Sequence, residues 1–324
     1  MRVLVTGSSG HLGEALMRIL PAFGHEPSGL DMLPGPFTAH VGSVADAALV
    51  RRAMAGMEGV IHAATLHKPQ VASLRKQDFI DANVAGTLTL LEAAAEAGAR
   101  RFVFTSTTSA FGDALVPPPG APAAWIDEDA PAVPKNIYGV TKTAAEDLCA
   151  LFARDGRLSV VILRTSRFFP EPDDDAAARE GFADANLKAN ELLYRRVDIE
   201  DAAEAHELAL RRAPEIGFAK FVVSATTPFA KADLPELRRD PAPVIARTHP
   251  ECAAIYAEAG FRPPASIDRV YVNARARAAL GWAPRWDFAA ALRAIAEGRP
   301  LGSDLGRAVG AKGYPGAKGV YGAR

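Results

Sequence analysis

Only two cysteines, Cys149 and Cys252, occur in the 324 residues, so a disulfide framework is excluded and a reducing compartment is favoured. Both fall in Ala-rich, helix-like stretches and read as buried free thiols. Long apolar runs are lacking too: none approaches the roughly 18–20 residues that a membrane helix needs. Charge of one sign is lacking, with 37 Lys and Arg against 38 Asp and Glu, which leaves no footprint for nucleic acid or an anionic membrane. Zinc-ligand spacing, a nucleophile elbow and internal repeats are not evident, and no metal is expected. The first ten residues hold a strand-like run followed by glycines, unlike a secretory signal, so the expected location is the cytoplasm. What remains is 49% hydrophobic and 23% charged, a globular chain of one large or two modest domains, either an enzyme or a small-molecule binder.

Short β-branched runs alternate with longer amphipathic stretches through the first two thirds of the chain. The runs are Arg2–Thr6, Glu26–Asp31, Val60–Ala64, Arg101–Ser106 and Leu158–Arg164. Helices are predicted over Leu12–Ala22, Asp46–Ala55, Phe79–Ala97 and Tyr138–Ala153. Buried strands alternating with helices imply an α/β fold, a doubly wound parallel sheet covered on both faces. Beyond Phe169 the pattern loosens into the acidic turn Pro170–Asp175 and a polar helical segment reaching Tyr194. A helix Glu200–Arg211, a strand Ala219–Ser224 and helices His249–Gly260 and Phe288–Glu297 follow. Leu234–Arg247, rich in Pro and Arg, is expected to run over the surface, and Gly298–Arg324 to be a loosely packed tail.

The segment Val3-Leu-Val-Thr6-Gly7-Ser-Ser-Gly10-His-Leu-Gly13 joins the first strand to the first helix. Gly7 permits the tight turn, Gly10 the close approach of a pyrophosphate and Gly13 the helix-to-strand contact. The helix start offers N–H groups and a positive dipole end to phosphates. Asp31 ends the second strand, where a carboxylate accepts from ribose hydroxyls and repels a 2′-phosphate, which favours NAD over NADP. A turn role is the ordinary alternative for Asp31. Tyr138-Gly-Val-Thr-Lys142 sets a phenol and an ammonium one helical turn apart. A nearby cation lowers a phenol's pKa and fits it to exchange a proton with a substrate hydroxyl while hydride moves. Upstream, Thr105-Ser-Thr-Thr-Ser109 supplies hydroxyls at the end of a buried strand, where doubly wound sheets bind ligands.

Together these segments resemble the extended short-chain dehydrogenase/reductases, the NAD-dependent epimerase/dehydratase family. The likeness runs from Arg2 to about Trp286 and includes Val60-Ile-His-Ala-Ala64, Asn83-Val-Ala-Gly-Thr87, Leu163-Arg164, Val197-Asp-Ile-Glu-Asp201 and Leu280-Gly-Trp282. It implies a Rossmann dinucleotide-binding domain over 1–168. A small C-terminal α/β substrate lobe over 169–297 would be interleaved with late Rossmann elements at about 195–225, before the tail 298–324. It implies Tyr138 as acid/base, Lys142 as holder of the nicotinamide ribose, and Thr107 as the catalytic hydroxyl, with Ser106 its neighbour. Ser9, His11 and Leu12 of the glycine-rich loop, together with Ala63, Ala64 and Thr65, would line the cofactor, and Asn83 would support the backbone there. Where the family commonly has an Asp for the adenine amino group, this chain has Ser43 and Val44.

Two departures bear on substrate. The segment between Arg164 and Val197 is short for members acting on nucleotide sugars, which implies a reduced substrate lobe, though Asn186-Leu187 echoes a phosphate-contacting pair. Phe111 stands where the family often has Tyr. Further candidates for substrate are His67, Lys68, Arg167 and Arg195, with a solvated loop pair as the alternative for His67 and Lys68 and a surface charge for Arg195. Asp173–Asp175 reads as a solvated turn rather than a metal site, and His62 as a packed strand residue. The expected activity is NAD-dependent hydride transfer at a secondary carbinol of a sugar, sugar acid or polyol. The alternatives are a nucleotide-sugar 4-epimerase or dehydratase, and a non-catalytic dinucleotide-binding regulator. The resemblance also implies a homodimer through Phe79–Ala97 and Tyr138–Ala153, with a small-molecule substrate and neither nucleic acid nor membrane as partner.

Overall fold

A computed structural model describes residues 1–172, 176–314 and 316. Its strands are β1 (Arg2–Thr6), β2 (Glu26–Asp31), β3 (His40–Val41), β4 (Gly59–His62), β5 (Arg101–Thr107), β6 (Ala124–Ile126), β7 (Ser159–Thr165), β8 (Arg167–Phe169), β9 (Arg196–Asp198), β10 (Phe218–Val223) and β11 (Arg269–Tyr271). Seven of these form one parallel sheet in the order β10-β7-β5-β4-β1-β2-β3. The strand order reverses between β1 and β4, so the loops leaving their carboxyl ends open a crevice there.

Alternation along each strand divides the core in two. Val3, Val5, Ile61, Val103 and Val161 face the helices His11–Ile19 and Ile199–Ile216. Leu4, Val60, Phe102, Phe104 and Ile162 face Ala47–Met54, Gly86–Glu96 and Ile137–Arg154. Both faces are covered, which is why the strands read as continuous apolar runs. Caps set two of these helices: Asp46 accepts from the amides of Ala48 and Leu49, and Asn136 from that of Gly139. The single helix expected over Phe79–Ala97 is instead Lys76–Phe79, a π-helical stretch Ile80–Ala85, and Gly86–Glu96. Asn83 lies in that π stretch, a local rewinding common beside functional sites.

A smaller lobe stands beyond the carboxyl edge of the sheet. It holds the strand pairs β6/β11 and β8/β9 and its own core of Leu192, Phe229, Tyr256, Val270, Phe288 and Leu292. Leu234–Arg247 does not simply cross the surface. It forms the helices Leu234–Arg239 and Ala242–Thr248, whose Leu237, Val244 and Ile245 are buried in that core. Prolines at both helix starts are compatible with helix, because the missing N–H would be unpaired there in any case. The tail also departs from expectation. Ser303 caps a helix Asp304–Val309, and its hydroxyl and amide bind the buried Asp198 carboxylate at 2.6 and 2.9 Å. Hydrogen bonds here replace the apolar bulk that the tail lacks. Both cysteines are free and buried, and no helix among the described residues is long and apolar enough to cross a membrane.

Candidate active site

The crevice at the strand reversal is a cavity of about 560 Å³, within the roughly 300–1,000 Å³ of small-molecule sites. Its first wall is the glycine-rich loop. Gly7 has φ +77°, and a Cβ there would lie 2.8 Å from the Ala64 nitrogen. A Cβ on Gly13 would lie 1.8 Å from the Gly7 carbonyl oxygen, so the helix can start this close to β1 only with glycine. Ser9, Gly10, His11 and Leu12 line the same wall, with Asp31 at its far end. The Asp31 carboxylate accepts from the amides of Ser9 and Leu33 at 2.9 Å each. A carboxylate has about four lone-pair sites, so this leaves capacity for ribose hydroxyls. Ser43, Val44, Ala63, Ala64 and Thr65 complete this half. The loop is a cradle that side chains would fill, ending in an acceptor, which fits a dinucleotide carrying an unphosphorylated ribose.

The second half surrounds Tyr138, which faces the cavity from the start of its helix. Thr107, the last residue of β5, lines the cavity beside it, its hydroxyl accepting from the Ser109 amide at 3.1 Å. Burial pushes the phenol up to about 12 and Glu171 adds to that, while Thr107 opposes it. Lys142, 1% exposed, does not line the cavity; its ammonium lies 4.1 Å over the Phe104 ring, and burial pushes it down to about 7. Burial rather than Lys142 therefore sets the Tyr138 phenol in this geometry. Asn83 also stands a layer behind. Its Oδ1 accepts from the Leu66 amide and the Thr65 hydroxyl, and its Nδ2 donates to Leu66 and Thr141, which holds the loop after β4 against the helix of Tyr138. His62 packs as expected, between Thr6 and Thr87 at 2.7 and 3.0 Å.

The substrate candidates divide. His67, Lys68, Thr107, Arg167 and Arg195 line the cavity. Ser106 reaches it as well, but its hydroxyl donates to the buried Glu146 at 2.6 Å. Arg164 binds the same Glu146 carboxylate through two nitrogens and Lys220 joins them. Asn186 is not brought to the cavity: its side chain accepts from the amide and donates to the carbonyl of Arg262, a lobe-bracing role. Asp173–Asp175 lies outside the described residues.

Several cavity residues were not legible as site residues, among them Arg269, Glu171, Lys312 and Tyr314. Glu171, from the acidic turn, is an ionised carboxylate at the substrate end. Burial alone would raise its pKa; His11, 2.9 Å away, and the Tyr314 hydroxyl outweigh this and hold it at about 2. Lys312 and Tyr314 come from the tail and stand against the glycine-rich loop and His67. One signal was available: Gly310-Ala-Lys-Gly-Tyr314 nearly recurs as Gly316-Ala-Lys-Gly-Val-Tyr321, a short repeat unlike a random glycine-rich tail.

Residues 3–218 match the model of the NAD dependent epimerase/dehydratase family. A UDP-glucose 4-epimerase of Streptomyces lividans is 29% identical over 66% of this chain and 72% of its own length. A uronate dehydrogenase of Pseudomonas syringae pv. tomato is 25% identical over 53% of this chain and 62% of its own. Other curated relatives are matched over about half their length. Among solved structures, a short-chain dehydrogenase/reductase superfamily protein from Agrobacterium tumefaciens with bound NAD superposes with TM-score 0.65 and 25% identity, over 92% of this chain and 96% of that one.

Proposed function

The chain belongs to the NAD-dependent epimerase/dehydratase family, and we propose that it oxidises a secondary carbinol of a sugar acid or related sugar, with Tyr138 as acid/base. The observation that carries this is Tyr138 facing the same cavity as Thr107, at the carboxyl edge of the sheet beside the glycine-rich loop. NAD supplies the hydride acceptor. Thr107 orients the carbinol oxygen, and Tyr138 takes the hydroxyl proton as the C–H bond breaks. When bound, the oxidised nicotinamide would supply the positive charge that offsets the burial raising the phenol, because Lys142 stands behind the cavity over Phe104.

Substrate size and charge follow from the same cavity. The dinucleotide and the substrate must share about 560 Å³, and Asn186 is turned away from it. This supports a small substrate over a nucleotide sugar. Arg167, Arg195 and Arg269 line the cavity, the first two sharing Glu191 at 3.6 and 2.6 Å, and together they favour an anionic group on the substrate. A nucleotide-sugar 4-epimerase is the second reading, favoured by the activity named for the Streptomyces relative. Incubation with NAD and a panel of uronates, free sugars and nucleotide sugars separates them. NADH accumulation marks net dehydrogenation, an epimer without NADH marks redox-neutral turnover, and tight NAD binding without turnover sinks both. Tyr138→Phe should lower kcat by about 10²–10⁴ while leaving NAD affinity near wild type; retained turnover excludes Tyr138 as the acid/base. The same reading includes a homodimer through the helices bearing Ile80, Val140 and Leu151, which are exposed apolar residues; light scattering after size exclusion tests it.

A further inference from the structure

The tail crosses the mouth of the cavity and is fastened on both sides. On one side the Lys312 amide donates to His11 Nε2, and its ammonium donates to the Ser9 carbonyl at 2.8 Å and to the Glu14 carboxylate. On the other, the Tyr314 hydroxyl donates to Glu171, and its ring lies 4.7 Å from that of His67, which is itself 6.0 Å from Tyr138. Lys312, Gly313 and Tyr314 thereby form a wall of the cavity. The helix before them is fixed by Ser303 on Asp198 and by buried Val309, so the crossing segment hangs from a rigid point.

We propose that residues 310–314 are a strap that closes over the bound dinucleotide and retains it through turnover, with Lys312 and Tyr314 as its two latches. The proposal rests on the assignment of the dinucleotide to this cavity. Strap and cofactor do not compete for the same groups. The strap takes a carbonyl, two carboxylates and a ring nitrogen, all acceptors, whereas a pyrophosphate seeks the N–H donors of the helix start. A cavity of about 560 Å³ persists beneath the strap. The dinucleotide leaves only after both latches open, so the strap sets its release rate.

The test compares the full chain with one ending at Gly310 and with the double variant Lys312→Ala, Tyr314→Phe, which covers the case in which the shortened chain fails to fold. Stopped-flow release of NAD should be about tenfold faster or more in either variant, the scale of one charge-assisted hydrogen bond lost from the barrier to opening, with a smaller rise in Kd because the latches also close in the cofactor-free chain. In the full chain, added NAD should slow hydrogen exchange across 310–314. Tighter NAD binding by the variants, or faster exchange on adding NAD, would mean the segment is a plug that competes with the dinucleotide, and overturns the proposal. Unchanged release and Kd would make the contacts mere packing and overturn it equally. Failure to turn over any sugar, with the strap behaving as stated, removes the reaction assignment and leaves the strap.

Discussion

Replacing Lys142 by Met should stabilise the cofactor-free protein while abolishing turnover. Burial displaces this ammonium from 10.5 to about 7. At about 1.4 kcal/mol per unit, its charge costs the fold on the order of 5 kcal/mol. Below about 7 folded and unfolded chains are both protonated, and the cost is full. Between about 7 and 10.5 the unfolded chain holds a proton that the folded chain has released, so wild-type stability rises with pH across that window. Methionine carries neither the cost nor the slope. The gain should be largest at pH 7, fall to roughly half by pH 9, and vanish above the ordinary lysine value. Losing the cation over Phe104, at 4.1 Å, trims it by about 1–2 kcal/mol. Glu146 is little affected, because Arg164 and Lys220 hold it independently. Urea unfolding of both proteins at pH 7, 8 and 9 is the assay, and the difference between them cancels every other titrating group. A variant no more stable at pH 7, or a gain equal at pH 7 and 9, refutes the reasoning.

Two further outcomes follow from the first half of the cavity. Asp31→Ala removes the ribose acceptor and the charge that repels a 2′-phosphate, so NAD binding should weaken by about tenfold and NADP binding improve, as titration calorimetry with both would read. Unchanged cofactor preference would return Asp31 to a turn role. Gly13→Ala forces a carbon to 1.8 Å from the Gly7 carbonyl, and should cost about 3 kcal/mol or more of stability, seen as a lowered Tm; a Tm near wild type would mean that the loop can part from the helix at little cost.

Much of this molecule was legible because it rests on local patterns. Continuous strand-like runs located β1 and β2 to the residue and β4, β5, β7 and β10 within a residue or two, while the two-residue β3 offered no run to read; the glycine-rich loop declared itself by spacing between a strand and a helix. The lobe was less legible. Leu237, Val244 and Ile245 lie among Pro and Arg that read as surface, and their burial depends on distant partners such as Phe288.

The sequence by itself determined the doubly wound sheet and the glycine-rich NAD cradle, because β-branched runs, turn chemistry and residue type are written within short windows; resemblance to the family, not spacing, set Thr107 beside Tyr138. Tertiary structure alone decided what surrounds them. It placed Lys142 behind the cavity over Phe104, and gave Asn186 to Arg262 rather than to a ligand. It brought Glu171 beside His11, and carried Lys312 back onto Ser9, three hundred and three residues away. Such contacts join groups with no shared period, and only the closed chain brings them within hydrogen-bond reach.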